Sequence, residues 1–273
     1  MSEQKHSFGD FLKYSISAPK RVGKSYFTII FYGILLYLIM VILIKIPGIF
    51  TQSSYQSGED VTYQFIKDEG LLAIYSFIVN AKNYLFISII IFISLESTQK
   101  TPVSISDVWQ QIKTCSKPLL FLIPITWFSI YGAGLLLDLL TNEGWSTFIS
   151  QFLIKPLLTM IFLITVVLIK INNHKLSFYI NRIIDLVKVI DYKLLISLYV
   201  ATLALLYNYS GLIYYVRNPL VRKLTEDKTI NPMDTLLKIN YGFELLAFFI
   251  SIIIIVIASA TAIYAVRATE KLS

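Results

Sequence analysis

Residues 243–266 read FELLAFFISIIIIVIASATAIYAV. Glu244 is the only charged group in that run, and Ile252, Ile253, Ile254, Ile255, Val256 and Ile257 follow one another without a break. A hydrocarbon bilayer core is about 30 Å thick and takes roughly 20 apolar residues as a helix, so this stretch predicts a membrane span. No period of two interrupts it, and β-structure cannot cross lipid as a single segment.

Five further stretches read the same way: 26–44, 76–95, 119–140, 152–171 and 194–216. The second carries Asn80, Lys82 and Asn83, the third Pro124, Gly132 and Gly134, and the fourth Lys155-Pro156. The whole chain agrees. Of 273 residues, 56% are apolar and only 15% charged, with a mean hydropathy of +0.67. A soluble domain has about a quarter of its residues charged and cannot hide this much apolar surface. The composition excludes a soluble globular enzyme, a disordered chain and a disulfide scaffold. The expected architecture is all-α: one polytopic integral membrane domain over 1–273, with six transmembrane helices and amphipathic helices on the cytoplasmic side.

Lys and Arg set the orientation, because positive residues flanking a span resist translocation. With the N-terminus inside, the inner segments hold Lys5, Lys13, Lys20, Arg21 and Lys24; then Lys100, Lys113 and Lys117; then Lys170, Lys175, Arg182, Lys188 and Lys193; then Arg267 and Lys271. That is 15 of the 24 basic residues, and both termini are expected in the cytosol. The segments 47–75 and 217–242 are then extracytoplasmic loops. The second dissents, with Arg217, Arg222, Lys223, Lys228 and Lys238, and reads equally as a re-entrant segment. The net charge of +7 follows this loop pattern and needs no nucleic acid. The implied location is the bacterial inner membrane, and the implied partners are membrane lipids.

Three segments between spans have helical periodicity with one apolar face, which predicts helices lying in the inner interface. In 7–17 the face is Phe8, Phe11, Leu12 and Ile16. In 104–116 it is Ile105, Val108, Trp109, Ile112 and Cys115, with Ser104 and Asp107 spaced as a capping box. In 177–191 it is Ile180, Ile183, Ile184, Val187 and Ile190, with Arg182 and Asp185 spaced to pair. At 232–241, Asn231-Pro232 is a helix start that leads through a short helix to Gly242 and the last span.

Catalytic patterns are lacking. Gly23-Lys24-Ser25 has the end of a phosphate loop, but position 18 is Ala18 where the motif wants glycine, and no strand precedes it. His6 and His174 have no partners at metal-ligand spacing. Ser210-Gly211 follows Asn208, not the glycine of a nucleophile elbow. Cys115 is the sole cysteine and forms no internal disulfide. The acid pairs Glu59/Asp60 and Asp68/Glu69 read as a solvated loop. No catalytic, cofactor-binding or metal residue is expected, and no enzymatic activity.

Polar side chains within spans are costly in lipid and so draw attention. They are Asn80, Lys82, Lys155, Asn208 and Glu244. Lys82, Lys155 and Glu244 fall in the outer third, where the lysines snorkel to headgroups or line a vestibule with Glu244. Ala258, Thr261, Ala262 and Ala265 recur at spacings of three and four and define a small-residue face for helix packing.

The layout resembles the YciC-like family of six-span bacterial inner-membrane proteins. The resemblance rests on Gln99-Lys100-Thr101-Pro102-Val103-Ser104 between span two and an amphipathic helix, on the amphipathic helix before span five, and on Ala262-Ile263-Tyr264-Ala265-Val266-Arg267 at the close of span six. It implies envelope or membrane maintenance without an assigned reaction. Two other readings fit the same features. A permease subunit of an ABC-type exporter would dock an ATPase at Ile105 through Cys115, behind an N-terminal elbow helix. A membrane immunity or stress protein is the third. A homo-oligomer is compatible with each.

Overall fold

The computed structural model describes residues 8–52, 61–97, 102–172, 176–219 and 232–270. His6, Glu59, Asp60, Gln99, Lys100, Thr101, His174, Arg222, Lys223, Lys228, Asn231 and Lys271 lie outside them. The described residues are helical almost throughout and contain no strand. In chain order the helices are α1 (Phe8–Ile16), α2 (Ala18–Val22), α3 (Tyr26–Gln52), α4 (Val61–Glu96), α5 (Ile105–Leu140), α6 (Glu143–Ile149), α7 (Lys155–Asn172), α8 (Leu176–Val189), α9 (Tyr192–Leu212) and α10 (Pro232–Glu270). A 3₁₀ turn, Gly23–Ser25, leads into α3. π-helical turns continue α6 through Ser150–Ile154 and α9 through Ile213–Arg217.

Five helical stretches among the described residues are long and apolar enough to cross a membrane: Ala18–Leu43, Ala73–Glu96, Ile105–Leu140, Gly144–Ile171 and Gly242–Ala268. The chain therefore has the build of an all-helical, multi-pass membrane protein. The expected fifth span, 194–216, is represented by a shorter apolar stretch, Tyr192–Asn208.

The chain forms two compact units, residues 21–183 and residues 1–20 with 184–273. In the first, α4 packs on α3, α5 and α7, and α5 packs on α7. Ile87 to Leu95 on α4 and Phe162 to Ile169 on α7 are buried on all sides, as expected for central helices rather than half-exposed ones. Tyr84 and Phe162 meet there, with ring centroids 4.5 Å apart. By contrast α3 and α5 are peripheral. Phe27, Ile34 and Leu38 on α3, and Leu120, Phe121, Phe128 and Leu139 on α5, are exposed. Such continuous apolar surface is satisfied by lipid tails and not by water.

One end of this unit is held by polar contacts. The backbone of the extended Pro102-Val103-Ser104 segment needs partners, and the start of α3 supplies them. Val103 N–H donates to Ser25 Oγ (3.0 Å), Thr28 Oγ1 donates to the Val103 carbonyl (2.8 Å), and Tyr32 OH donates to the Ile105 carbonyl (2.8 Å). Ser104 caps α5 with its predicted capping box: Asp107 N–H donates to Ser104 Oγ (3.2 Å) and Ser104 N–H to Asp107 Oδ2 (3.0 Å). Lys170 pairs with Glu96 at 3.0 Å. The starts of α3 and α5 and the ends of α4 and α7 thus share one end.

In the second unit, α10 packs on α9 and α1. Asp191 caps α9, its Oδ1 accepting from Lys193 N–H at 2.9 Å. Phe11 and Tyr14 of α1 each lie with their ring centroids 5.5 Å from that of Tyr264 on α10, and Thr261 Oγ1 donates to Ser15 Oγ at 3.3 Å. Phe11 and Ser15 are buried, whereas Phe8, Leu12 and Ile16 are exposed. The apolar face read in the sequence is therefore divided between α10 and the surroundings.

Several boundaries differ from the sequence reading. The stretch 104–116 and span 119–140 form a single helix, with Pro118 and Pro124 inside it. Each proline removes one donor without ending a helix that neighbours support. Much of segment 47–75 is helical, because α3 runs to Gln52 and α4 starts at Val61. The short helix at 232–241 is continuous with the last span through Gly242. Extending a formed helix adds a hydrogen bond per residue, so a single glycine costs about 1 kcal/mol without breaking it. Span four begins in α6, where Asn142 Oδ1 accepts from Trp145 N–H at 3.1 Å and the Asp138 carboxylate accepts from the Ser146 hydroxyl. The π turn falls just before Pro156, whose ring cannot donate to the preceding turn. Of the two glycines in α5, Gly134 faces Ser150 Oγ, whereas a side chain at Gly132 would meet open space.

Candidate functional site

The polar end of the four-helix unit contains a groove of about 490 Å³ between the end of α4, the start of α5 and the end of α7. Glu96 comes from α4; Asp107, Gln110, Gln111 and Cys115 come from α5; Lys170 comes from α7. Periodicity of α5 places Asp107, Gln111 and Cys115 at i, i+4 and i+8, one above the next on one face. The Lys170 ammonium, 3.0 Å from Glu96 Oε1, also lies 6.0 Å from the centre of the Phe92 ring. Both side chains of the pair are partly covered, at 20% and 32% exposure, so the pair is neither a free surface contact nor a buried one.

Asp107 is committed to the cap, and the Thr114 hydroxyl to the Gln110 carbonyl at 2.9 Å. Gln111 Oε1 differs: it is buried and has no hydrogen-bond partner among the described residues. A covered acceptor without a donor costs about 1–3 kcal/mol. Cys115 is buried as a free thiol. On the opposite face of α5, Trp109 is half exposed, with the Lys113 ammonium 5.5 Å from its ring centre, an arrangement suited to headgroup level. Two carboxylates, one ammonium and a carbonyl acceptor that has no donor among the described residues can bind a polar ligand. No group of three His, Cys, Asp or Glu able to hold a metal occurs among the described residues.

The polar residues singled out in the spans lie elsewhere. Asn80 is half-buried, its Nδ2 donating to the Ser76 carbonyl at 2.7 Å, which satisfies it within its own helix. Lys82 and Lys155 are half-buried, with no carboxylate at ion-pair distance among the described residues. Asn208 is half-buried on α9, and Glu244 is exposed on α10. Glu244 belongs to the second unit and both lysines to the first. Ala258, Thr261, Ala262 and Ala265 are all buried, at 2% exposure or less. Asp185 pairs with Lys188 at 4.0 Å on the exposed face of α8.

Sequence reasoning missed the groove. Lys170 enters the sequence reading only as one of the inner basic residues, and Glu96 not at all. The available signal was their position, opposite charges at the same-side ends of two spans. Ser25, Thr28 and Tyr32, spaced by three and four on one face at the start of the first apolar run, were likewise legible and passed over. No family model, curated protein or solved structure matches the chain.

Proposed function

We propose that the chain is a six-span bacterial inner-membrane protein with both termini in the cytosol. It serves envelope or membrane maintenance by holding lipids and protein partners, without a reaction of its own. The observation that carries the topology is the packing of α1 at the C-terminal end of α10, through Phe11, Tyr14 and Ser15 against Tyr264 and Thr261. A helix that precedes the first span and the close of the last span then share a membrane face, which requires an even number of crossings. α9 is the sixth. Its 21 residues reach about 30 Å, and the π turn extends it.

The orientation follows from charge. Arg21, Lys24, Lys113, Lys117 and Lys170 belong to the end of the four-helix unit where α3 and α5 start and α7 finishes. That end is the cytosolic one by the positive-inside rule. By sequence the amphipathic segments 7–17, 104–116 and 177–191 flank the spans on the side rich in Lys and Arg, and the exposed Phe8, Leu12 and Ile16 of α1 suit the inner leaflet. The resemblance to YciC-like proteins points to the same layout and to the same maintenance role.

Purified protein in liposomes is expected to turn over neither lipid nor nucleotide. A deletion strain is expected to admit a hydrophobic dye faster than its parent. Unaided turnover by the purified protein would overturn the reading. An ATPase co-purifying through Ile105 to Cys115 would replace it with an exporter subunit.

A further inference from the structure

We infer that the groove between α4, α5 and α7 seats the headgroup of a phospholipid carrying a primary ammonium and a phosphate, as in phosphatidylethanolamine. The inference rests on the reading above that this end of the unit faces the inner leaflet. Three features of the groove select the ligand.

First, among the described residues the lining carries two carboxylates, Glu96 and Asp107, against one ammonium, Lys170. A headgroup bearing only negative charge meets a wall of the same net sign, whereas a zwitterion presents an ammonium to Glu96 and a phosphate to Lys170. Second, Gln111 Oε1 is a covered acceptor without a donor among the described residues. A primary ammonium has three N–H groups and can supply one; a quaternary choline has none. Third, a volume of about 490 Å³ lies in the range of small-molecule sites, roughly 300–1,000 Å³. A free phosphorylated amine offers the same ammonium and phosphate. The exposed apolar residues further along the groove's face of α5, Phe121 and Phe128, favour the lipid, since its acyl chains need an apolar surface.

The test uses the purified full-length protein in micelles doped with phosphatidylethanolamine or phosphatidylcholine, with bound lipid counted by native mass spectrometry. One phosphatidylethanolamine per chain is expected, with retention about tenfold above phosphatidylcholine, because choline leaves the Gln111 acceptor unmet. Gln111→Leu is expected to remove that preference, and Gln111→Glu, which keeps an acceptor, to retain it. Millimolar phosphoethanolamine is expected to leave the lipid in place. Equal retention of the two lipids, or an unchanged preference in Gln111→Leu, would overturn the inference. Displacement by soluble phosphoethanolamine would overturn the lipid assignment in favour of a free ligand. Retention in micelles is independent of sidedness, so an error in orientation, read by reporters at the chain ends, is distinguishable from an error here.

Discussion

Phe162→Ala is expected to lower the unfolding free energy of the unit formed by residues 21–183 by about 3–4 kcal/mol, measured by steric trapping in bicelles. Phe162 is fully buried on α7, with its ring 4.5 Å from that of Tyr84 on α4. In water such a truncation combines a transfer loss and a cavity loss. Within a bilayer the transfer part nearly vanishes, because lipid tails are as apolar as the protein interior. The cavity part stays, at about 24 cal/mol per Å³ over roughly 100 Å³, and the ring–ring contact adds about 0.5–1.5 kcal/mol. An effect near zero would mean that α4 and α7 are not packed at Tyr84 and Phe162.

Ala262→Phe should be as damaging in the other unit. Ala262 has no exposed surface and sits beside Thr261, the residue that reaches Ser15 of α1. A benzyl group there has no void to enter. Overpacking costs about 1–3 kcal/mol, and here α1 gives way most easily because it is short. The readout is a disulfide between Ser15→Cys and Thr261→Cys in a Cys115→Ser background. Oxidant is expected to form it readily in the parent and about fivefold less in the Ala262→Phe variant. An unaffected yield would mean that the small-residue face does not govern how α1 docks.

How much of this was legible before the structure depended on the range of the interaction. Runs of apolar residues are local, so five of the six stretches emerged as helices of spanning length, with C-terminal ends close to those read. The Ser104/Asp107 capping box is also local, and both of its hydrogen bonds form. Helix ends were less legible. The junction between 104–116 and 119–140, Gly242 and the outer parts of 47–75 all read as breaks, yet the helix ladder runs through the first two and into the third because propagation is cheap once a span has formed. The groove was the least legible feature. Glu96, Gln111 and Lys170 are far apart in sequence, and only the antiparallel arrangement of α4, α5 and α7 gathers them. Polarity inside a span directed attention to Lys82 and Lys155, whereas the polar cluster lies at the span ends. Ser15 showed nothing in the sequence because its role depends on a partner some 246 positions away.

Cytosolic fluorescence and periplasmic phosphatase reporters, fused separately to the two ends of the chain, test the topology most directly. Even-numbered crossing, with α9 as a true span, requires fluorescence from both ends and phosphatase activity from neither. Fluorescence at one end with phosphatase activity at the other would contradict it, leaving α9 outside the hydrocarbon and α1 away from the close of α10.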